Sequence, residues 1–359
     1  MEKVIVIDWL DKYGGAERVI RYLDQIFSFD KMYTLINIMK EDDLDKIQNY
    51  HKRPVIDTVL RKIGPRFRWF FPTYFGLIKS LKIDKDVDLI ISSSHSVAKG
   101  VQKSNPNQIH ISYFQQRNNN YIWDEPDLYL GKFKYVLAPL LYFLRKLDLK
   151  QAKNPDYIIS NSIYTQQWVK KRYNRDSEVV YPPIDFSVFT PSYTKDDYYV
   201  VVGRLATIKK FDLVIKAFNT NGKPLIIIGD GDEAAYLKSI AKDNIKFLGF
   251  LESSEINPIL NQAKAFIQMG VEGFGIAPVE AQYCGTPVIG YGFGALLETV
   301  IDQQTGILFN QQTEKALNDA IIKFEQISFD YEMIHHHAKK FSIESFNQNI
   351  LACVKQLTD

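Results

Sequence analysis

Short apolar runs recur along the whole chain, each ending in glycine or small polar residues and each followed by a helical pattern. Residues 4–7 lead to Gly14-Gly15 and a helix with Val19, Ile20, Leu23 and Phe27 on one face. Residues 89–91 end in Ser92-Ser93-Ser94-His95, residues 109–114 in Gln115-Gln116-Arg117, and residues 157–159 in Ser160-Asn161-Ser162. Continuous apolar runs of this length suit strands buried on both faces, and strands alternating with helices make βαβ units in parallel sheets. At 182–192 the run PPIDFSVFTPS interrupts the pattern, which then restarts. Prolines there remove donors and fix the chain as a linker. The expected fold is α/β, two Rossmann-like doubly wound parallel-sheet domains, because 359 residues exceed one ordinary core.

Open sheets of this kind bind ligands outside the carboxyl ends of their strands. His95, Gln115, Gln116, Arg117 and Asn161 are therefore site candidates in the first half. In the second half, Gly203-Arg204 and Lys209 follow a strand at 198–202, Gly229-Asp230-Gly231 follows 225–228, and Gly249-Phe250 follows 245–248. The stretch 270–292 holds Glu272 and Glu280, with seven residues between them, around the turn Gly273-Phe274-Gly275 and a helix from Pro278 to Cys284. A glycine turn feeding a helix N-terminus is an anion site, since free N–H groups and the positive helix end point the same way. Two cations, several glycine turns and that helix suit a pyrophosphate met by Arg204 and Lys209 in place of a metal. Glu280 is placed for a ribose diol. Taken alone, the same turn reads equally as a link between core elements with both glutamates solvated. Gly14-Gly15 lacks the third glycine of the dinucleotide fingerprint. Asp230-Gly231-Asp232 reads as a helix start with Asp232 as N-cap, and no metal is expected. His335-His336-His337 reads as a solvated triplet between helices, since adjacent helical residues do not share a face.

Net charge is +2, but residues 1–183 carry 29 Lys+Arg against 21 Asp+Glu, a balance of +8, and residues 184–359 carry 15 against 21, a balance of −6. That asymmetry points to an anionic partner for the basic half. Residues 61–82 interleave Arg61, Lys62, Arg66, Arg68 and Lys79 with Phe67, Trp69, Phe70, Phe71, Tyr74 and Phe75. Cations for headgroups and rings for the acyl boundary make an interfacial membrane segment. A core helix with basic flanks is the competing reading, and nucleic acid is set aside. Residues 131–153 read as one long amphipathic helix with a basic tail, a second candidate membrane surface or a buried helix. Two cysteines, Cys284 and Cys353, exclude a disulfide framework by count and read as buried thiols in a reducing compartment. With no signal-peptide layout and no membrane span, the expected location is cytoplasmic.

Together these residues resemble glycosyltransferase family 4, retaining enzymes of GT-B architecture, over nearly the whole chain. The chain is similar to the bacterial mannosyltransferase-like branch that builds lipopolysaccharide O-antigen and capsule. The motifs are GGAE at 14–17, ISSSHSVAKG at 91–100, LRKLD at 144–148, PDYIISNS at 155–162, VVYPPID at 179–185, GRLATIKKFDLVIKAF at 203–218, IIGDGDE at 227–233 and EGFGIAPVE at 272–280. The resemblance implies two domains facing across a cleft. Residues 1–183 would form the acceptor side, with a helix at about 343–359 crossing back, and 184–342 would bind the donor, a nucleotide-diphosphate sugar on GDP, UDP or dTDP. It implies Arg204 and Lys209 on the pyrophosphate, Glu272 on the transferred sugar and Glu280 on the ribose. Backbone N–H groups at Phe274, Gly275 and Ile276 would hold sugar and phosphate, with Gly14 and Gly15 toward donor phosphate and acceptor. Gly203, Gly229 and Gly231 would allow close approach of the nucleotide, and Phe250 would lie near the base. No cofactor and no metal are implied. A hexose or deoxyhexose would pass to a lipid-linked glycan at the inner face of the cytoplasmic membrane. A non-catalytic nucleotide-sugar-binding subunit and a GT-B sugar-nucleotide epimerase are the alternatives. One departure stands out. The branch carries a histidine in the loop ending Trp123-Asp124, contacting the donor sugar near C6. Here Gln116, or Gln115 with a gap, takes its place, which points to a sugar differing from mannose at C5–C6.

Overall fold

The computed structural model describes residues 2–358. The chain forms two compact units. One runs to Pro183 and takes up the chain again from Phe346; the other is Ile184–Ser345.

In the first unit, strands β1 (Glu2–Ile7), β2 (Lys31–Thr34), β3 (Val55–Ile56), β4 (Val87–Ser94), β5 (Ile109–Phe114), β6 (Tyr157–Ser160) and β7 (Glu178–Val179) form one parallel sheet in the order β3-β2-β1-β4-β5-β6-β7. The order reverses between β1 and β4, which pair from Lys3↔Leu89 to Ile7↔Ser93. Helix Gly15–Phe27 follows β1 and covers the sheet with Val19, Ile20 and Leu23. The last helix, Ile343–Thr358, returns to this unit, where Phe346 meets the ring of Tyr113 at 6.3 Å.

Two stretches differ from their expected form. Residues 61–82 contain a run of tight 3-10 turns, Val59–Thr73, followed by helix Tyr74–Ser80. Gly64 at φ 64° and prolines 65 and 72 break the helical path. Phe67, Tyr74, Phe75 and Ile78 are core residues, while Trp69 and Phe70 are exposed, so the core and surface readings each describe part of the segment. Residues 131–153 are two helices, Phe133–Val136 and Ala138–Gln151, which part at Leu137, and Pro139 suits the start of the second.

In the second unit, β8 (Tyr199–Val202), β9 (Leu225–Ile228), β10 (Ile245–Gly249), β11 (Ala265–Gln268), β12 (Val288–Tyr291) and β13 (Gly306–Phe309) form a parallel sheet in the order β10-β9-β8-β11-β12-β13. Alternate residues feed opposite faces. Tyr199 and Val201 join the core beneath helices Phe211–Asn221 and Glu314–Phe324, while Val200 joins that beneath Ser253–Gln262 and Ile276–Tyr283. Both sheets are doubly wound, and each reverses strand order at its own centre.

Candidate active site

The switch point of the second sheet lies between β8 and β11, and the loops leaving these strands touch. A Cβ at Gly270 would stand 2.8 Å from Lys209 Cα and 3.0 Å from the Ile208 carbonyl, so only glycine lets the two backbones meet. Gln268 Nε2 donates to the Gly270 carbonyl (2.8 Å), and Gln312 Nε2 donates to that of Met269 (2.8 Å), pinning the β11 loop. Lys209 ends the tight turn Thr207–Lys209, and its ammonium forms an ion pair with the carboxylate of Glu272. Arg204 is exposed in the same loop as Lys209.

The neighbouring strand end closes on this loop. Leu205 N–H donates to the Asp230 carbonyl (3.0 Å), and Glu233 N–H donates to that of Leu205 (3.1 Å). A Cβ at Gly229 would sit 1.9 Å from the Gly203 carbonyl oxygen, and one at Gly231 2.3 Å from that of Leu205. The close approach these glycines permit is therefore to the 203–205 backbone itself. Asp232 does not cap the next helix, which starts at Ala234 with Glu233 before it and no side-chain cap.

Helix Ile276–Tyr283 starts from Gly275 at φ 90°, so the first-turn N–H groups meet no capping side chain. Pro278 falls in its first turn. The Phe274 ring is buried edge-to-face on Phe341 at 5.3 Å and anchors the turn from below. Glu280 is buried one turn into the helix, and Phe250 is 70% exposed beyond β10. The strand ends thus gather cations, two glutamates and a helix N-terminus within this unit.

At the switch point of the first sheet, between β1 and β4, stands a residue that sequence reasoning passed over. Asp8 is fully buried, and its carboxylate accepts N–H bonds from His95 (2.6 Å), Ser96 (2.9 Å), Val97 (2.6 Å) and Ala98 (2.6 Å). His95 is half-buried, edge-on to Trp9 at 4.4 Å. Its available signal was a lone acid ending an apolar strand. Gly14 and Gly15 open the helix after β1 without a side-chain cap. Behind them, Glu17 is buried, and that burial pushes its carboxyl up to about 7, with Asp11 adding to the shift.

The other candidates here divide. Gln115 Nε2 donates to Ser93 Oγ (2.9 Å), whereas the Gln116 side chain makes no hydrogen bond among the described residues. Arg117 pairs with Glu125 (2.8 Å) and Asp124 (3.6 Å). Asn161 Nδ2 donates to the Gln115 carbonyl (2.5 Å), and its Oδ1 accepts from Thr165 (2.8 Å). These two residues shape the loop with their polar atoms. His110 lies inside the sheet 2.8 Å from Ser92 Oγ, and burial holds its imidazole down at about 3.

The histidine triplet lies within helix Tyr331–Ala338 and is not uniformly solvated. His335 Nδ1 bonds the Tyr283 carbonyl (2.5 Å) and His337 Nε2 that of Thr299 (3.1 Å). Among the described residues, no group of three His, Cys, Asp or Glu side chains is placed to hold a metal.

Residues 185–341 match the family model of Glycosyl transferases group 1. The O-antigen chain mannosyltransferase RfbU of Salmonella typhimurium is 26% identical over 221 residues, which are 58% of this chain and 61% of that one. D-inositol 3-phosphate glycosyltransferase of Mycobacteroides abscessus is 29% identical over 40% of this chain and 38% of its own. The chain thus spans about three fifths or less of the length of these curated relatives. Among solved structures, Anabaena HepE in complex with UDP superposes with a TM-score of 0.72 at 16% identity, over 99% of this chain and 100% of that one. The lipopolysaccharide outer core galactosyltransferase WaaB, in its apo form, gives 0.67 at 15%, over 98% and 99%. The whole chain therefore has the GT-B fold of these solved structures, and residues 185–341 are similar to the group 1 glycosyl transferases.

Proposed function

We propose that this chain is a retaining glycosyltransferase. It moves a hexose or deoxyhexose from a nucleoside-diphosphate sugar to a lipid-linked glycan of bacterial surface polysaccharide, without a metal. The observation that carries this is the meeting of Lys209, Glu272 and the capless N-terminus of Ile276–Tyr283 at the β8/β11 switch point. Arg204, Lys209 and the helix N–H groups would bind the diphosphate and stabilise it as it leaves. Glu280 would accept hydrogen bonds from the ribose, Phe250 would lie by the base, and Glu272 would orient the sugar. The chain's relatives support the class: an O-antigen chain mannosyltransferase, and a fold neighbour solved with UDP and with UDP-glucose.

The acceptor side of the proposal rests on the first unit's surface. Trp69, Phe133 and Tyr135 are 83, 73 and 74% exposed. Phe71 meets Tyr121 at 5.3 Å and Tyr121 meets Tyr129 at 6.4 Å, which ties the two aromatic stretches together. Among the described residues, no helix is long and apolar enough to cross a membrane. Peripheral attachment at the cytoplasmic face through this surface is the proposed arrangement. The test is a thermal-shift screen of GDP-, UDP- and dTDP-sugars, followed by NMR of the product's anomeric configuration. An inverted product removes the retaining assignment, and no stabilisation by any nucleotide sugar removes the function.

A further inference from the structure

Lys209 and Glu272 neutralise each other in the ligand-free chain. Each is about a quarter exposed, so the pair sits at the mouth of the strand ends and not in the core. The contact is built in. Gly270 allows backbone contact between the two loops, and the Glu272 carbonyl accepts from Ala295 N–H (3.4 Å), holding Glu272 from the far side. The Gly275 turn packs on the Glu272 stem, where a Cβ at 275 would be 3.6 Å from Cβ and Cγ.

We infer that Glu272 serves as an internal counter-anion which an incoming diphosphate displaces from Lys209, so that binding of the phosphate releases the carboxylate for the sugar. This deepens, and rests on, the function proposed above. One ammonium cannot give full charge-assisted bonds to both a carboxylate and a diphosphate, and the diphosphate carries more charge. Until the exchange occurs, Oε1 of the glutamate is held by the lysine and withdrawn from hydroxyl groups. A free hexose therefore finds the sugar position blocked, and a sugar arriving on its diphosphate opens it. Glu272 becomes a specificity-determining residue for the intact nucleotide sugar, in addition to its orienting role. A ligand shifts such an equilibrium only by its differential affinity for the two states, so the pair weakens diphosphate binding by its own strength. Partly exposed pairs are weak, which sets the effect at about twofold to tenfold once repulsion between Glu272 and the phosphate is added.

The experiment is calorimetric titration of UDP, GDP and dTDP into the full chain, the isosteric Glu272→Gln variant, Lys209→Ala, and the double variant. The expected result is that E272Q binds the preferred diphosphate about twofold to tenfold more tightly, with slower sugar transfer or donor hydrolysis. In the Lys209→Ala background the same change should give little or no tightening. Tightening that persists without Lys209 assigns the effect to simple repulsion and overturns the exchange. If the diphosphate binds wild type and E272Q is unchanged or weaker, the exchange falls and the proposed function stands. If none of the three binds any variant, both fall together.

Discussion

Asp8 Oδ2 stands 3.2 Å from Nδ1 of His95, and the same carboxylate holds the four backbone N–H groups from His95 to Ala98. One buried acid at the end of β1 thus sets the path of the chain leaving β4, 87 residues on. Asp8→Asn keeps the shape but turns one oxygen into a donor facing donors. A stability loss of about 1–3 kcal/mol is expected, the cost of leaving a buried donor unsatisfied. Urea unfolding measures it, and a change below 1 kcal/mol would show the carboxylate to be dispensable.

Glu17 makes stability depend on pH. Its carboxyl is raised from 4.5 to about 7, chiefly by burial. Between those values the native chain holds a proton that the unfolded chain has released, so stability declines as pH rises through this window. The full effect is on the order of 3 kcal/mol above pH 7, at 1.36 kcal/mol per unit. His110 works in the opposite sense. Held neutral down to about 3 by burial, it lowers stability as pH falls below about 6.5, where the unfolded chain takes up a proton. Comparing Glu17→Gln with wild type isolates the first effect. The variant should gain relative stability between pH 5 and pH 8; parallel curves would contradict the assignment.

Lys209→Ala and Glu280→Ala should each weaken nucleoside-diphosphate binding. A hydrogen bond to a charged group contributes about 1.5–3 kcal/mol, roughly tenfold to a hundredfold in affinity. Glu272→Ala should lower turnover without that loss. Calorimetry with single-turnover kinetics separates the two, and unchanged affinity in both of the first variants would misplace the site.

Membrane attachment should depend on rings more than on Arg68, which already pairs with Asp11 (2.5 Å) and lies over the Phe67 ring at 4.7 Å. Replacing Trp69, Phe133 and Tyr135 with alanine should reduce binding to phosphatidylglycerol-containing vesicles by at least tenfold. Co-sedimentation that is unaffected by the triple change would separate this surface from the membrane.

Both sheets were legible because apolar runs and glycine-ended strands report on burial and backbone geometry, which are local. Lys209 drew notice from the loop after the strand at 198–202 and Glu272 from the glycine turn at 273–275, and the structure joins these two in an ion pair. What escaped depends on residues far apart in the chain. Asp148 accepts from Asn119 (2.6 Å), Trp123 (2.6 Å) and Tyr173 (2.7 Å) and pairs with fully buried Lys99 (2.7 Å). LRKLD at 144–148 marks that acid without saying that its partners lie on three other segments. Arg117 and Asn161 sit at strand ends as any ligand-binding residue would; only the positions of Glu125 and Thr165 reveal their structural bonds.

The return of the chain to the first unit has a consequence for biosynthesis. Ile184–Ser345 is one uninterrupted segment, whereas the first unit needs Phe346, Ile350 and Val354, which are buried near the chain's far end. A ribosome emits the N-terminal half first, and domains generally fold as units as they emerge. Here the earlier-made unit waits for its closing helix while the later-made one can already complete its core. The first-translated sheet is therefore the last to be finished.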